Sequence, residues 1–238
     1  MTIIYMKKMR KLINCDLGEC LDPSPDGQIM PLINQASIAC GGHVGDSDSM
    51  DKIIKLAKQH QVSIGAHPSY PDKVNFGRIS VPMSLTALFD SIQRQVNTLD
   101  DICQRHEVKI DYIKPHGALY HDMMHQNDIF ELLCEVIKNS KQDLKLIVQA
   151  GINTQHMKTE AAKKGISLQF EAFADRAYQG THLTPRSEPG AVLATPQEIV
   201  DQYDQLAEST AMQIDTICFH SDHPPSVIAL QHLKAAAC

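Results

Sequence analysis

Short runs rich in isoleucine and valine recur from one end of the chain to the other, each followed by a longer stretch whose apolar residues return every three to four positions. Two strands separated by a helix pair in parallel, and a parallel sheet must have both faces covered. The alternation therefore restricts the chain to an α/β fold. The runs are Lys11 to Cys15, Gln35 to Cys40, Val62 to Ala66, Ile110 to Lys114, Leu144 to Gln149, Ser167 to Phe170 and Ile214 to Phe219. They predict a distorted (β/α) TIM-like barrel of about seven parallel strands rather than a complete eight. The length of 238 residues suits such a barrel. No repeat, low-complexity tract or Gly/Ser linker divides it, so residues 1–238 are read as a single domain.

The connecting helices announce themselves by periodicity and caps. Met50, Ile53, Ile54 and Ala57 form one apolar stripe. Ser84 is suited to cap a helix whose apolar face runs through Leu85, Leu88, Ile92, Val96 and Leu99. Thr195-Pro196-Gln197-Glu198 combines an N-cap, a proline at the first helical position and a capping-box glutamate. The one long irregular stretch, Ala172 to Ala194, has the length of a functional loop.

Composition excludes several classes of function. With 28 acidic against 22 basic residues the formal charge is -6, and no lysine or arginine cluster forms a nucleic-acid footprint, so no nucleic-acid partner is expected. No segment approaches a membrane span, and the apolar Thr2 to Met6 stretch precedes the basic cluster Lys7 to Lys11, the wrong order for a signal peptide. No membrane partner and a cytoplasmic location are expected. Seven cysteines without a CxxC pair argue against a disulfide framework; Cys15, Cys40 and Cys218 read as buried small hydrophobes, and Cys20 alone as a thiol at the rim.

Ionisable residues gather at one end of these strands. Asp16 closes the first, His43 follows the second, His67 ends the third, Lys114 and His116 the fourth, Glu171 the sixth, and His220 with Asp222 the seventh. The C-terminal strand ends of a (β/α) barrel converge on one mouth, where active sites form. One histidine at a strand end is usually structural; six strands delivering ionisable groups to one rim are not explained that way. His60, His106, His125, His156 and His232 fall in predicted helices and read as solvated or structural.

Five blocks carry a resemblance. They are Asn14-Cys15-Asp16-Leu17-Gly18-Glu19; Ile38-Ala39-Cys40-Gly41-Gly42-His43 with Gly45-Asp46; Gly65-Ala66-His67-Pro68-Ser69-Tyr70-Pro71-Asp72 with Phe76-Gly77-Arg78; Lys114-Pro115-His116-Gly117-Ala118-Leu119-Tyr120; and Glu171-Ala172-Phe173-Ala174-Asp175-Arg176 with Tyr178. In this order they resemble the LamB/YcsF family, whose members are described as the A component of 5-oxoprolinase. Gly42 stands where that family has an aromatic residue, Ser221 where it has a glycine, and the segment after Tyr178 is one residue short.

The resemblance implies an ATP-dependent hydrolase that opens the lactam of 5-oxo-L-proline to L-glutamate, acting with B and C subunits. No GxxxxGK[ST] phosphate loop is present, which fits a chain holding part of the machinery, with ATP shared with its partners. The oligomeric state is left open, self-association included. On this reading the catalytic set is Asp16, Lys114, His116, Glu171 and His67, with Asp16 the first choice of base and Glu171 the second. Substrate-binding residues are His43, Arg176, Asp175, His220, Asp222, Gly41 and Gly117, with Arg176 suited to hold a carboxylate in two-point contact. Asp16 with several histidines is also similar to the metal sites of glycoside hydrolase/deacetylase-like barrels, which opens a metal-dependent deacetylase or amidohydrolase reading. A 5-oxoproline-binding regulatory barrel is the non-enzymatic alternative. A divalent metal is compatible with the rim, but the ammonium of Lys114 opposes it, so no tightly held ion is expected.

Overall fold

In the computed structural model, which describes residues 11–19, 24–151 and 154–236, the apolar runs are strands. In chain order they are β1 (Leu12–Leu17), β2 (Gln35–Ala39), β3 (Ser63–His67), β4 (Ile110–Ile113), β5 (Lys145–Gln149), β6 (Ser167–Phe173), β7 (Tyr178–Gln179), β8 (His182–Leu183) and β9 (Thr216–His220). Strands β1 to β6 follow one another in parallel, and β9 closes the barrel between β6 and β1. The two-residue strands β7 and β8 pair antiparallel inside the long segment after β6. All seven expected strands are present. Asp16 and Glu171 lie within β1 and β6 rather than closing them, because β1 runs on to Leu17 and β6 to Phe173.

The helices are α1 (Asp26–Ile29), α2 (Ser47–His60), α3 (Leu85–Arg105), α4 (Gly117–His125), α5 (Asn127–Lys138), α6 (Thr154–Lys164), α7 (Pro196–Glu208) and α8 (Pro224–Ala235). Helix α2 buries Met50, Ile53, Ile54 and Ala57. In α3 the Ala87 amide donates to Ser84 Oγ and the buried face includes Leu88, Ile92, Val96 and Leu99, whereas Leu85 in the first turn faces solvent. Thr195 and Glu198 close both halves of the α7 capping box. Outside the regular strands, His106 follows α3 and holds Asp51 of α2 through its Nε2 at 2.6 Å. Among the described residues no helix is long and apolar enough to cross a membrane.

Alternation along each strand separates two environments. One set of side chains, including Leu17, Ile38, Ile64, Ile113, Val148, Phe170 and Phe219, joins the helices in a continuous hydrophobic core. The other set meets inside the barrel and is polar. Gln35 and Gln169 exchange hydrogen bonds at 2.9 and 3.1 Å. Asn14 Nδ2 donates to Thr216 Oγ1 at 3.0 Å, and Ser37 Oγ pairs with the Tyr112 hydroxyl at 3.3 Å. The Tyr112 ring fills the interior so closely to Gly65 that a Cβ there would lie 2.0 Å from the ring, which is why β3 has no side chain at this point. Buried polar groups are tolerated because they satisfy one another. This column leads upward to the C-terminal strand ends.

Candidate active site

Lys114, immediately after β4, is 2% exposed and sits where the interior column meets the mouth. Its Nζ donates to Asp16 Oδ1 at 2.8 Å and Asn14 Oδ1 at 3.2 Å, and pairs with Glu171 Oε1 at 2.9 Å. The buried thiol of Cys218 lies 3.2 Å away. Burial opposes the ammonium, but the charge of Asp16, with Glu171 beside it, outweighs that and holds the Lys114 pKa well above its ordinary value. Burial likewise raises the Asp16 carboxyl, and the charges of His67 and Lys114 more than reverse this, leaving it below the usual carboxylate range.

A second cluster adjoins the first. Glu19, one residue past the turn that ends β1, points its Oε1 at three histidines: His43 Nε2 at 2.7 Å, His116 Nδ1 at 3.0 Å and His67 Nε2 at 3.4 Å. His67 Nε2 also lies 3.5 Å from Asp16 Oδ2, so this ring joins the two clusters. The rings of His43 and His116 stack with centroids 3.8 Å apart. Burial raises the Glu19 carboxyl, but hydrogen bonds from His116, His43 and His67 bring it well below its ordinary range. Burial dominates at His43, whose pKa falls to about 4. These four side chains have the donor types and spacing of a metal-ligand set.

Above both clusters opens a cavity of about 650 Å³ lined by Asp16, Glu19, His67, Lys114, His116 and His220 among others. Glu171 and His43 stand behind this wall and touch the cavity through Lys114 and Glu19. The outer mouth carries Arg78, Arg176, Arg186 and Asp222. Asp222 pairs with Arg78 at 3.1 Å in a half-exposed contact. Arg176 is anchored in its own loop: Nε donates to Ala191 O at 3.1 Å and one terminal nitrogen to Thr184 O at 2.8 Å. Two of its five N–H donors are thus engaged, and Arg176 holds the segment whose Thr184, Pro185 and Arg186 wall the cavity.

The glycines serve local geometry. Gly41 has φ +95 in the turn after β2 that sets His43, and it does not line the cavity. Gly117 does line it, and a Cβ there would lie 2.5 Å from the Gly77 carbonyl oxygen. Two of the three departures from the resembled pattern, Gly42 and Ser221, have local partners. At Gly42 a Cβ would collide with Gln95 and Ser69, because the Gln95 amide, bonded to both the Ser69 amide and its carbonyl, packs against this position. Ser221 Oγ donates to the Asp16 carbonyl at 2.7 Å. Cys15, Cys40 and Cys218 are buried free thiols, while Cys20 lies outside the described residues.

On the far side of Lys114, His220 Nδ1 pairs with Asp175 Oδ2 at 2.7 Å, and Ser226 Oγ donates to the same oxygen at 3.3 Å. Burial raises the Asp175 carboxyl, but the His220 charge and hydrogen bond hold it at about 2 against an unperturbed 3.8. Burial lowers His220, and Asp175 more than compensates, so its pKa is raised. The depressed carboxylate contributes fully above about pH 4 and is lost as pH falls towards 2; the raised histidine contributes fully below about pH 6.5 and is lost as pH rises through its native pKa. Asp175→Asn is therefore expected to cost about 2 kcal/mol near pH 6 and to flatten the loss of stability between about pH 4 and 2. Thermal melting across that range checks this; an unchanged acid limb would assign the acid sensitivity elsewhere.

Glu19 is missing from the set expected at the strand ends, because it follows β1 by two positions. Its presence in the block Asn14 to Glu19 is the signal that could have found it. The objection to a cation also changes. Lys114 is matched by two carboxylates, Asp16 and Glu171, so its charge is more than neutralised locally.

The model of the LamB/YcsF family matches residues 12–237. A Vibrio vulnificus protein named as a 5-oxoprolinase A subunit is 40% identical over 245 aligned positions, covering 97% of this chain and 98% of the relative. A Pseudomonas putida protein with the same name and the numeral 2 is 38% identical, covering 95% and 93%. The crystal structure of a lactam utilization protein from Thermus thermophilus superposes with a TM-score of 0.84 at 29% identity, covering 96% of this chain and 98% of that one.

Proposed function

The chain belongs to the LamB/YcsF family, and from that premise we propose that it is the A component of an ATP-dependent 5-oxoprolinase, opening 5-oxo-L-proline to L-glutamate. The name shared by its full-length relatives supports the substrate, and the word subunit in that name supports a multi-subunit complex. The finer assignments are a single barrel domain in the cytoplasm, B and C partner subunits, and ATP shared with them. One observation carries the chemistry: the carboxylate of Asp16 lines the cavity 2.8 Å from the Nζ of buried Lys114.

A five-membered lactam is a stable amide, and ATP supplies the drive to open it. Transfer of the γ-phosphoryl group to the lactam oxygen makes the ring carbon electrophilic and releases ADP. Water then attacks that carbon, Asp16 takes the proton that water gives up, the carbon–nitrogen bond breaks as the ring nitrogen gains a proton, and a second water molecule releases phosphate from the acyl phosphate so formed, leaving the glutamate carboxylate. Lys114 supplies a fixed positive charge where the phosphate and oxyanion develop. Its hydrogen bonds to Asp16 and Asn14 hold it in place before substrate arrives. Asp16 stands ahead of Glu171 as base because Asp16 faces the cavity and Glu171 lies behind Lys114.

Glutamate release from 5-oxo-L-proline is expected to require ATP and to rise when the B and C subunits are added to this chain. ADP and glutamate measured together test the coupling. Release by this chain alone without ATP would overturn it and favour a metal-dependent amidohydrolase; no release from the complete mixture would overturn the substrate.

A further inference from the structure

The geometry points to a divalent transition-metal site at the floor of the cavity, built by Glu19, His43, His67 and His116, with zinc as the preferred ion. Two of the ring tautomers are fixed by the backbone. His67 Nδ1 lies 2.7 Å from the Lys114 carbonyl oxygen, and His116 Nε2 lies 2.9 Å from the Phe76 carbonyl oxygen. A carbonyl only accepts, so both of these nitrogens carry hydrogen, and each ring turns its other nitrogen towards the cluster. Those inward atoms, His67 Nε2 and His116 Nδ1, stand 3.1 Å apart. In neutral rings they are two bare lone pairs facing each other, a pair that a proton or a metal ion can bridge.

One proton satisfies one such pair. Here four donor atoms gather, all within 4.8 Å of one another: Glu19 Oε1, His43 Nε2, His67 Nε2 and His116 Nδ1. Tetrahedral ligands at about 2.0–2.1 Å from zinc are separated by roughly 3.3 Å. The contacts of 2.7, 3.0, 3.1 and 3.4 Å lie near that spacing. Backbone carbonyls that fix histidine tautomers are the usual support of a metal ligand. Formal charge agrees. Glu19, Asp16 and Glu171 bring three negative charges against one from Lys114, a balance that a divalent cation cancels. Three imidazoles with one carboxylate suit zinc and its neighbours rather than magnesium or calcium.

Glu19, His67 and His116 line the cavity, so an ion held here faces the ligand space beside Asp16. Bound there, it would polarise an amide oxygen or a water molecule. The site stands on the donor geometry and does not depend on the oxoprolinase reading.

The test uses the full-length chain and zinc alone. After removal of metal by a chelator and dialysis, calorimetric titration with Zn²⁺ is expected to show one ion per chain and a higher melting temperature, since binding to the native state stabilises it. Glu19→Gln and His67→Gln should each lose the stoichiometric binding, while His60→Gln, on an exposed helix end, keeps it. Absence of stoichiometric zinc in the unsubstituted chain, or its retention in both cluster variants, overturns the site. If the variants do not fold, cobalt(II) added to the unsubstituted chain decides. Intense visible bands of a four-coordinate nitrogen-rich ion support the site, and the weak spectrum of hydrated cobalt overturns it.

Discussion

Lys114→Met is expected to lower the stability of the fold by about 3–5 kcal/mol, the range seen when one partner of a buried ion pair is removed. The reason lies in what is left behind. Asp16 and Glu171 are 4% and 0% exposed, and both meet the ammonium of Lys114. Methionine matches the stem of the lysine but leaves two carboxylates buried together without a counter-charge, and one of them must take a proton or the site must open. Urea denaturation at neutral pH reads the effect as a lower midpoint. Glu171→Gln added to Lys114→Met should recover part of the loss, because it removes one of the stranded charges. If the double variant is as unstable as the sum of the two single ones, the three side chains do not act as a unit. An unaltered midpoint for Lys114→Met would show that the ion pair contributes only charge to the chemistry.

This coupling is not visible along the chain, and the reason is physical. Strands reveal themselves through apolar side chains turned towards helices, as Ile38, Val148 and Ile217 are. The alternate positions face the barrel interior, where Asn14 meets Thr216, Ser37 meets Tyr112, Gln169 meets Gln35 and Glu171 meets Lys114, partners far apart in sequence. Strand existence and the α7 capping box depend on neighbours a few residues away and are legible. The choice of partners inside the barrel depends on closure of the sheet and is not. Asp16 and Lys114, 98 residues apart, are an example: each is recognisable as a group at a strand end, but their contact fixes one as ionised and the other as buried charge. The same holds for Arg176, whose anchoring of its own loop through Nε depends on how that loop closes. Glu19 lies beyond the strand that delivers it, so a rule based on strand ends passes over it, although it meets all three histidines.

Asp16→Asn is the change expected to do most to turnover. In the assembled complex it should reduce glutamate formation by on the order of 10² to 10⁴, the contribution of a general base. The amide keeps the shape of the carboxylate and can still accept a hydrogen bond from Lys114, while Glu171 continues to balance the ammonium, so stability should fall far less than in Lys114→Met. Asparagine cannot take a proton from water at neutral pH. The depressed pKa of Asp16 shapes the expectation further: a carboxylate held below its ordinary range is fully ionised at pH 7 but is a weak base, so its effect depends on the position it imposes on water as well as on proton affinity. His67 Nε2, 3.5 Å from the other carboxylate oxygen, helps to fix the position of Asp16. Rates with ATP, 5-oxo-L-proline and all subunits, together with zinc content and the urea midpoint of the variant, separate the causes. Loss of turnover with zinc content and midpoint retained assigns the effect to proton transfer at Asp16. Near-normal turnover would make Asp16 a structural partner of Lys114 and pass the role of base to Glu171.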